Sequence, residues 1–375
     1  MRASLHRAML AYGGGLVLHT ASSGRIDGLD TLYLRLDGGD VVATGEVRLN
    51  IAYLNGLAAE AVLAEAVEVA GRLDWSADPA GLLAEPPTVL SGASAPVRTL
   101  VDCALHDLVA KRAGLPVAAL LAGAMPDGDA GGLSGGATIS WPSNQTLFVS
   151  SDSVFMARAE AYVARGFRDL KVRIGAGDIG DDIRRVALLR ERFGDGIKLA
   201  ADANGAWDLA AAFAHLDALA PFGLAYVEQP VAPGDWQGLA LLAAESPVPV
   251  MLDESVKGLD DVARIADAGG GLMAHLKLVK LGGLNPALQA VRLLKAAGVP
   301  FMIGQMNEGG LATAAALHLA AASRPDFAEL YGADGLADDP AAGLAYADGR
   351  VAVPSRPGLG LSFDASRTHL IREFS

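Results

Sequence analysis

The chain has 375 residues, of which 51% are hydrophobic and 19% charged, with a formal net charge of −13. An acidic balance of that size disfavours nucleic acid and anionic membrane as partners, and no apolar run reaches the length of a membrane span. The length suits two domains of a globular protein better than one small core.

Residues 1–24 mix basic side chains with Ala8-Met9-Leu10-Ala11 in the manner of a leader peptide, but Gly13-Gly14-Gly15 and His19 interrupt the apolar run. A solitary Cys103 allows no internal disulfide and fits a reducing compartment, so a cytoplasmic protein is expected. Residues 32–36 alternate, 37–40 turn and 41–46 return, which predicts two paired strands over 30–47. Helices are predicted over 58–73 and 98–112, and Pro116 opens a further short one. Strands followed by helices describe an α+β capping domain over 1–125.

From Ser134 the pattern changes to alternating strand and helix. Strands are predicted over 137–140, 169–173, 197–202, 224–228, 248–253, 273–278, 299–303 and 327–331. Helical stretches lie between them, for example over 157–165, 181–192, 209–220, 259–268, 286–297 and 312–322. Eight such units match an α/β fold of the (β/α)8, TIM-like barrel type over 126–350 better than an open doubly wound sheet. The tail, 351–375, has no partner in that barrel and is expected to return to the capping domain.

Three consecutive strands end in an acid and then break into turn chemistry. Asp202 precedes Ala203-Asn204-Gly205, Glu228 precedes Gln229-Pro230, and Asp253 precedes Glu254-Ser255. A parallel barrel presents its chemistry at the C-terminal ends of its strands, so these carboxylates would converge on one oxygen-rich site. Hard oxygen donors suit Mg2+, with Mn2+ as a substitute, whereas Zn2+ would want His or Cys. Taken singly, each acid could simply cap the turn after it; three in succession are harder to read that way.

The two-residue period of a strand sends Lys171 and Arg173 to one side, and His275 and Lys277 likewise. Such cations could hold an ionised substrate or move a proton, or they could be structural partners of the three acids. Lys280 is out of phase with Lys277 and is expected to face solvent or a turn before Gly282-Gly283. His275, a layer deeper, reads as a satisfied core histidine.

In order, Lys171-x-Arg173, Asp202-Ala203-Asn204, Glu228-Gln229-Pro230, Asp253-Glu254-Ser255, the run from Lys277 to Gly283, and Met306-Asn307-Glu308-Gly309-Gly310 resemble the enolase superfamily. The branch is that of mandelate racemase and the muconate-lactonizing enzymes, which includes o-succinylbenzoate synthases and dipeptide epimerases. The likeness extends into the first domain through the run from Leu100 to Leu108. It implies one Mg2+ per active site, held by Asp202, Glu228 and Asp253, and a small-molecule carboxylate substrate. It also implies Lys277 as the base that removes the α-proton to give an enediolate, Lys171 as the group that holds the carboxylate, and a homo-oligomer.

Arg173 departs from the family pattern, which has a second lysine there. Arginine stays protonated in nearly every setting, so it makes an anion clamp and a poor base. The expected outcome is therefore a muconate-cycloisomerase-like isomerisation or a β-elimination, with racemisation or epimerisation of an amino-acid or hydroxy-acid derivative as the alternative. Glu329-Leu330-Tyr331 is closer to the lactonizing enzymes than to the Asp-x-Asp of dipeptide epimerases. Asn204, Glu308, Glu329 and Tyr331 are candidates for substrate contact. So are His19, Arg25, Arg48 and Tyr53, which fall in loops that would shape specificity. A reading of a different class remains: a barrel hydrolase, for which His275 is the only strand-end histidine, or an aldolase with a lysine nucleophile.

Overall fold

Short β-branched and apolar runs separated by amphipathic helices leave a strand little choice but to bury both faces, as parallel sheets require. In the computed structural model, which describes residues 1–13, 18–20, 24–26, 28–125 and 128–375, they do so in a barrel. Eight parallel strands lie side by side in chain order: Gln145–Leu147, Asp169–Arg173, Lys198–Asp202, Val227–Glu228, Val250–Leu252, Leu272–Lys277, Phe301–Gly304 and Phe327–Glu329. The first and eighth are joined by single hydrogen bonds rather than a ladder. The Asn144 N–H donates to the Ala328 carbonyl at 2.9 Å, and the Leu330 N–H donates to Ser143 Oγ at 2.9 Å.

Inside the barrel, Ala200, Tyr226, Met251 and Met302 pack into an apolar floor. Two residues further along those strands stand Asp202, Glu228, Asp253 and Gly304, so the strand period itself lifts the chain from floor to polar site. Outside, helices such as Ile179–Phe193, Leu284–Ala297 and Gly310–Ser323 turn apolar faces to the strands.

The cap is an antiparallel sheet in the order His369–Phe374, Arg2–Leu10, Leu29–Asp37, Val42–Arg48. Helix Ala95–Arg112 packs on it so closely that a Cβ on Gly45 would lie 2.2 Å from the Leu100 carbonyl oxygen. Buried acids tie this layer to the barrel. Glu46 accepts from the Gly309, Leu311 and Ala312 N–H groups at 2.6, 2.9 and 3.2 Å, at the start of helix Gly310–Ser323. Asp102 accepts from Leu284 N–H at 2.5 Å at the start of helix Leu284–Ala297. Both use the free amides and positive end of a helix N-terminus.

Two expectations need correction. The stretch expected as the first barrel strand, 137–140, belongs to Thr138–Pro142, which pairs antiparallel with Arg350–Pro354 outside the barrel. Its outward residues stay partly exposed, which a central parallel strand cannot allow. The true first strand, Gln145–Leu147, is fully buried yet opens on Gln and Thr, so it shows no apolar run. The tail is therefore shared: Arg350–Pro354 packs beside Thr138–Pro142, and only His369–Phe374 pairs with the cap strand Arg2–Leu10.

Candidate active site

Above the apolar floor the barrel mouth holds a cavity of about 230 Å3. Lys171, Arg173, Asp202, Asn204, Asp253, Lys277, Glu329 and Tyr331 reach it from the strand ends, and Tyr53 reaches it from the cap. Glu228 lies just beneath, fully buried. Asp202 and Glu228 are direct neighbours in register on adjacent strands, so their proximity is fixed by backbone pairing.

Each acid has cationic partners. Lys171 Nζ lies 2.9 Å from Glu228 Oε2, 2.5 Å from Glu329 Oε2 and 3.5 Å from Asp202 Oδ2. Arg173 pairs with Asp202 and Asn204 through one guanidinium nitrogen, its Cζ 5.9 Å from the centre of the Phe148 ring. Lys277 Nζ donates to Asp253 Oδ2 at 2.7 Å. Asn204 adopts a left-handed backbone (φ +47), a conformation Asn tolerates, which lets its own N–H reach Asp202 Oδ1 at 2.9 Å and its side-chain amide reach Glu254 Oε1 at 2.8 Å.

The acids outnumber the cations. Burial, then mutual repulsion among neighbours, raises the carboxyls of Asp202 and Glu228 above their usual range. Burial and the charges of Asp253, Asp202 and Glu228 push Glu254 up to about 7. Asp253 goes the other way: burial would raise it, but Lys277 and Lys280 hold it well below the ordinary carboxylate value. Burial would lower the Lys277 amine, yet Asp253, Glu329 and Glu228 outweigh it and hold the ammonium form. Lys171 is likewise held protonated, by Glu228, Glu329 and Asp202 against burial.

That pattern is a test of whether a cation belongs here. Carboxylates raised by burial and by one another gain most from a divalent ion, and the donors are predominantly hard oxygens. Glu228, Asp253 and His275 offer ligand atoms within 4.8 Å of one another. Asp202 joins them through Lys171 Nζ, which it shares with Glu228. The residues present therefore fit a metal of the Mg2+ kind.

Other expected residues stand elsewhere. Glu308 is buried beside its own turn, accepting the Met306 N–H at 3.0 Å, and does not line the cavity; burial pushes its carboxyl up to about 7. Arg48 is buried and committed to the Asn307 carbonyl and to Asn50. The side chains of His19 and Arg25 lie outside the described residues. Lys280 does not face solvent. The chain turns into a short helix, Leu278–Leu281, directly after the sixth strand, and this folds Lys280 Nζ back onto Asp253 at 2.6 Å from Oδ1 and 2.5 Å from the carbonyl. A two-residue period cannot be carried across that change of structure. The sequence reading also missed Glu254 and Gln305, which line the cavity, and the contact of His275 with Glu228. Glu254 could have been found, since it directly follows Asp253 in a polar strand end. The cap's residues 11–13 are pinned nearby: Tyr12 Oη donates to the Gly332 carbonyl at 2.5 Å and accepts from Asn307 Nδ2 at 2.8 Å.

Residues 154–367 match the family model described as Enolase C-terminal domain-like. An L-Ala-D/L-Glu epimerase from Bacillus subtilis is 31% identical over 70% of this chain and 70% of its own length. Muconate cycloisomerase 1 from Pseudomonas putida is 30% identical over 71% of this chain and 69% of its own. Among solved structures, the dipeptide epimerase from Enterococcus faecalis, complexed with Mg and the dipeptide L-Leu-L-Tyr, superposes with a TM-score of 0.85 at 27% identity, over 96% of this chain and 99% of that one.

Proposed function

The chain belongs to the enolase superfamily, in the group of the muconate-lactonizing and mandelate-racemase-type enzymes, and from that premise we propose that it removes the proton α to the carboxylate of a small substrate. The observation that carries this reading is the entry of two buried ammonium groups, Lys171 and Lys277, into one cavity from the second and sixth strands, each seated on a carboxylate. Asp202, Glu228 and Asp253 would hold one Mg2+, or Mn2+ in its place, which when bound supplies positive charge against the developing enediolate.

Lys277 takes the α-proton onto Nζ and returns it, or delivers it to a leaving group. For that it must first be neutral, which the field of Asp253, Glu329 and Glu228 opposes until those acids are otherwise compensated. Lys171 holds the substrate carboxylate. Asn204, Glu329, Tyr331 and Tyr53 line its surroundings and contact the rest of the substrate. Arg173 keeps its charge, because Asp202 outweighs the opposing effect of burial, and so clamps an anion instead of accepting a proton. One base on one face favours cycloisomerisation or β-elimination. The second reading is epimerisation, which the names of the epimerase relatives favour. We also infer a homo-oligomer in the cytoplasm, an expectation from the family likeness that light scattering and cell fractionation address.

The test is a screen of hydroxy acids, N-acylated amino acids and acid sugars for α-proton exchange in D2O. Lys277→Ala should abolish exchange while Mg2+ affinity stays near wild type, and persistence of exchange in that variant removes Lys277 from its role. Borohydride trapping of a substrate on either lysine would instead favour an aldolase.

A further inference from the structure

His275 sits two positions before Lys277, on the sixth strand, with no exposed surface. Its Nδ1 is 3.0 Å from Glu228 Oε1 and 3.9 Å from Asp253 Oδ1. Its Nε2 has no hydrogen-bond partner among the described residues. Facing that nitrogen from the seventh strand is Gly304, where a Cβ would lie 1.9 Å from Nε2. Gly304 has no positive φ, so glycine stands there for room and not for backbone freedom. A half-satisfied imidazole in a dry interior is unfavourable by itself. Something must favour keeping both the ring and the space for it.

As a metal ligand Glu228 is a carboxylate and can only accept, so in that role the 3.0 Å contact is made by an Nδ1–H donating to Oε1. Oε2 of the same carboxylate takes Lys171 Nζ at 2.9 Å. Glu228 is thus gripped at both oxygens, and its plane is fixed. Direct ligation by Nδ1 would reverse the tautomer, and would press an N–H at Nε2 against Gly304, where nothing among the described residues accepts it.

We propose that His275 is a positioning residue for metal binding: its Nδ1–H fixes the Glu228 carboxylate in the orientation from which that residue holds a divalent cation, and Gly304 provides the space for the ring. The inference rests on the reading of Asp202, Glu228 and Asp253 as metal ligands.

The test is titration calorimetry of the metal-stripped protein with MgCl2 and, separately, MnCl2 and ZnCl2. Circular dichroism and melting of each metal-free variant check the fold. His275→Leu removes the donor and should weaken Mg2+ binding by about 10- to 100-fold, the usual effect of losing an outer partner of a metal ligand. His275→Asn places an amide nitrogen where Nδ1 was and should bind close to wild type. Gly304→Ala displaces the ring and should weaken binding in the wild-type background but not in the His275→Asn background, where no Nε2 remains to clash. If His275→Leu does not fold, His275→Asn with and without Gly304→Ala carries the same comparison. Unchanged Mg2+ affinity in a folded His275→Leu overturns the proposal, as does His275→Asn binding as weakly as His275→Leu. Selective loss of Zn2+ binding in His275→Leu with Mg2+ binding kept identifies a direct ligand and also overturns it. A wild-type protein that binds none of these cations removes the metal reading itself, and this inference with it.

Discussion

Lys277 Nζ lies 2.7 Å from Asp253 Oδ2, so the proposed base and a proposed metal ligand share a hydrogen bond. The contact holds Lys277 in its ammonium form and Asp253 in its ionised form. Each therefore favours the charged form of the other, and Lys280, 2.6 Å from Asp253 Oδ1, leaves the ligand a cationic partner when Lys277 is replaced.

A divalent ion on the carboxylates should stabilise the fold by mass action, by about 2.7 kcal/mol at a hundredfold excess over Kd. Mg2+ should accordingly raise the melting temperature of the wild-type protein. Asp202→Asn and Asp253→Asn should each lose most of that increment in differential scanning calorimetry. An undiminished shift in either variant removes that residue from the ligand set.

Replacing Arg173 by Lys puts an amine that can titrate where the guanidinium cannot. With a substrate found by the exchange screen, Arg173→Lys should gain exchange and epimerisation on the face opposite Lys277, read by chiral chromatography after incubation in D2O. A wild-type enzyme that already exchanges both faces contradicts one-base chemistry.

Glu254 gives a pH dependence with a definite sign. Its carboxyl titrates at about 7 in the folded protein, against an ordinary value of 4.5, because burial and three neighbouring acids disfavour its charge. Between those values the folded state binds more protons than the unfolded one, so this group makes the metal-free protein less stable as pH rises from 4.5 to 7. Glu254→Gln should flatten that part of the stability profile and stabilise the metal-free protein at pH 7.5 by about 1–3 kcal/mol. Urea melts across the range measure it; a slope unchanged by the substitution contradicts the assignment.

The tie between cap and barrel is also measurable. Glu46→Ala strips three buried amides at the start of helix Gly310–Ser323 of their acceptor, and should destabilise the protein by about 1–3 kcal/mol. Metal affinity should be unaffected, since Glu46 does not line the cavity. A variant as stable as wild type in denaturant melts would show those amides re-satisfied.

Much of this was legible in the sequence because a parallel strand places its chemistry at a fixed end. The acids at the ends of three successive strands, and the pairs Lys171/Arg173 and His275/Lys277, needed only the two-residue period to be brought together. Legibility failed where local structure changed type. Lys280 does lie in a turn before Gly282-Gly283, one of its two expected places, but strand phase has no meaning past Lys277 and could not show that this turn folds it onto Asp253. Gln145–Leu147 was missed because a barrel strand at the seam can carry polar residues, Gln145 bonding to Asp334 and Asn144 to Glu329, instead of an apolar run. The role of Arg2–Leu10 was hidden because its partners are far along the chain, and no local pattern announces them.

That last pairing sets an order of events. Arg2–Leu10 is synthesised long before its neighbour His369–Phe374; the side chains of His6 and Thr368, 362 positions apart, meet at 3.0 Å. The barrel can be wound and its acids gathered while the lid above them still lacks an edge. A chain ending before residue 369 would keep every residue that lines the cavity and lose the outer strand of the cap sheet.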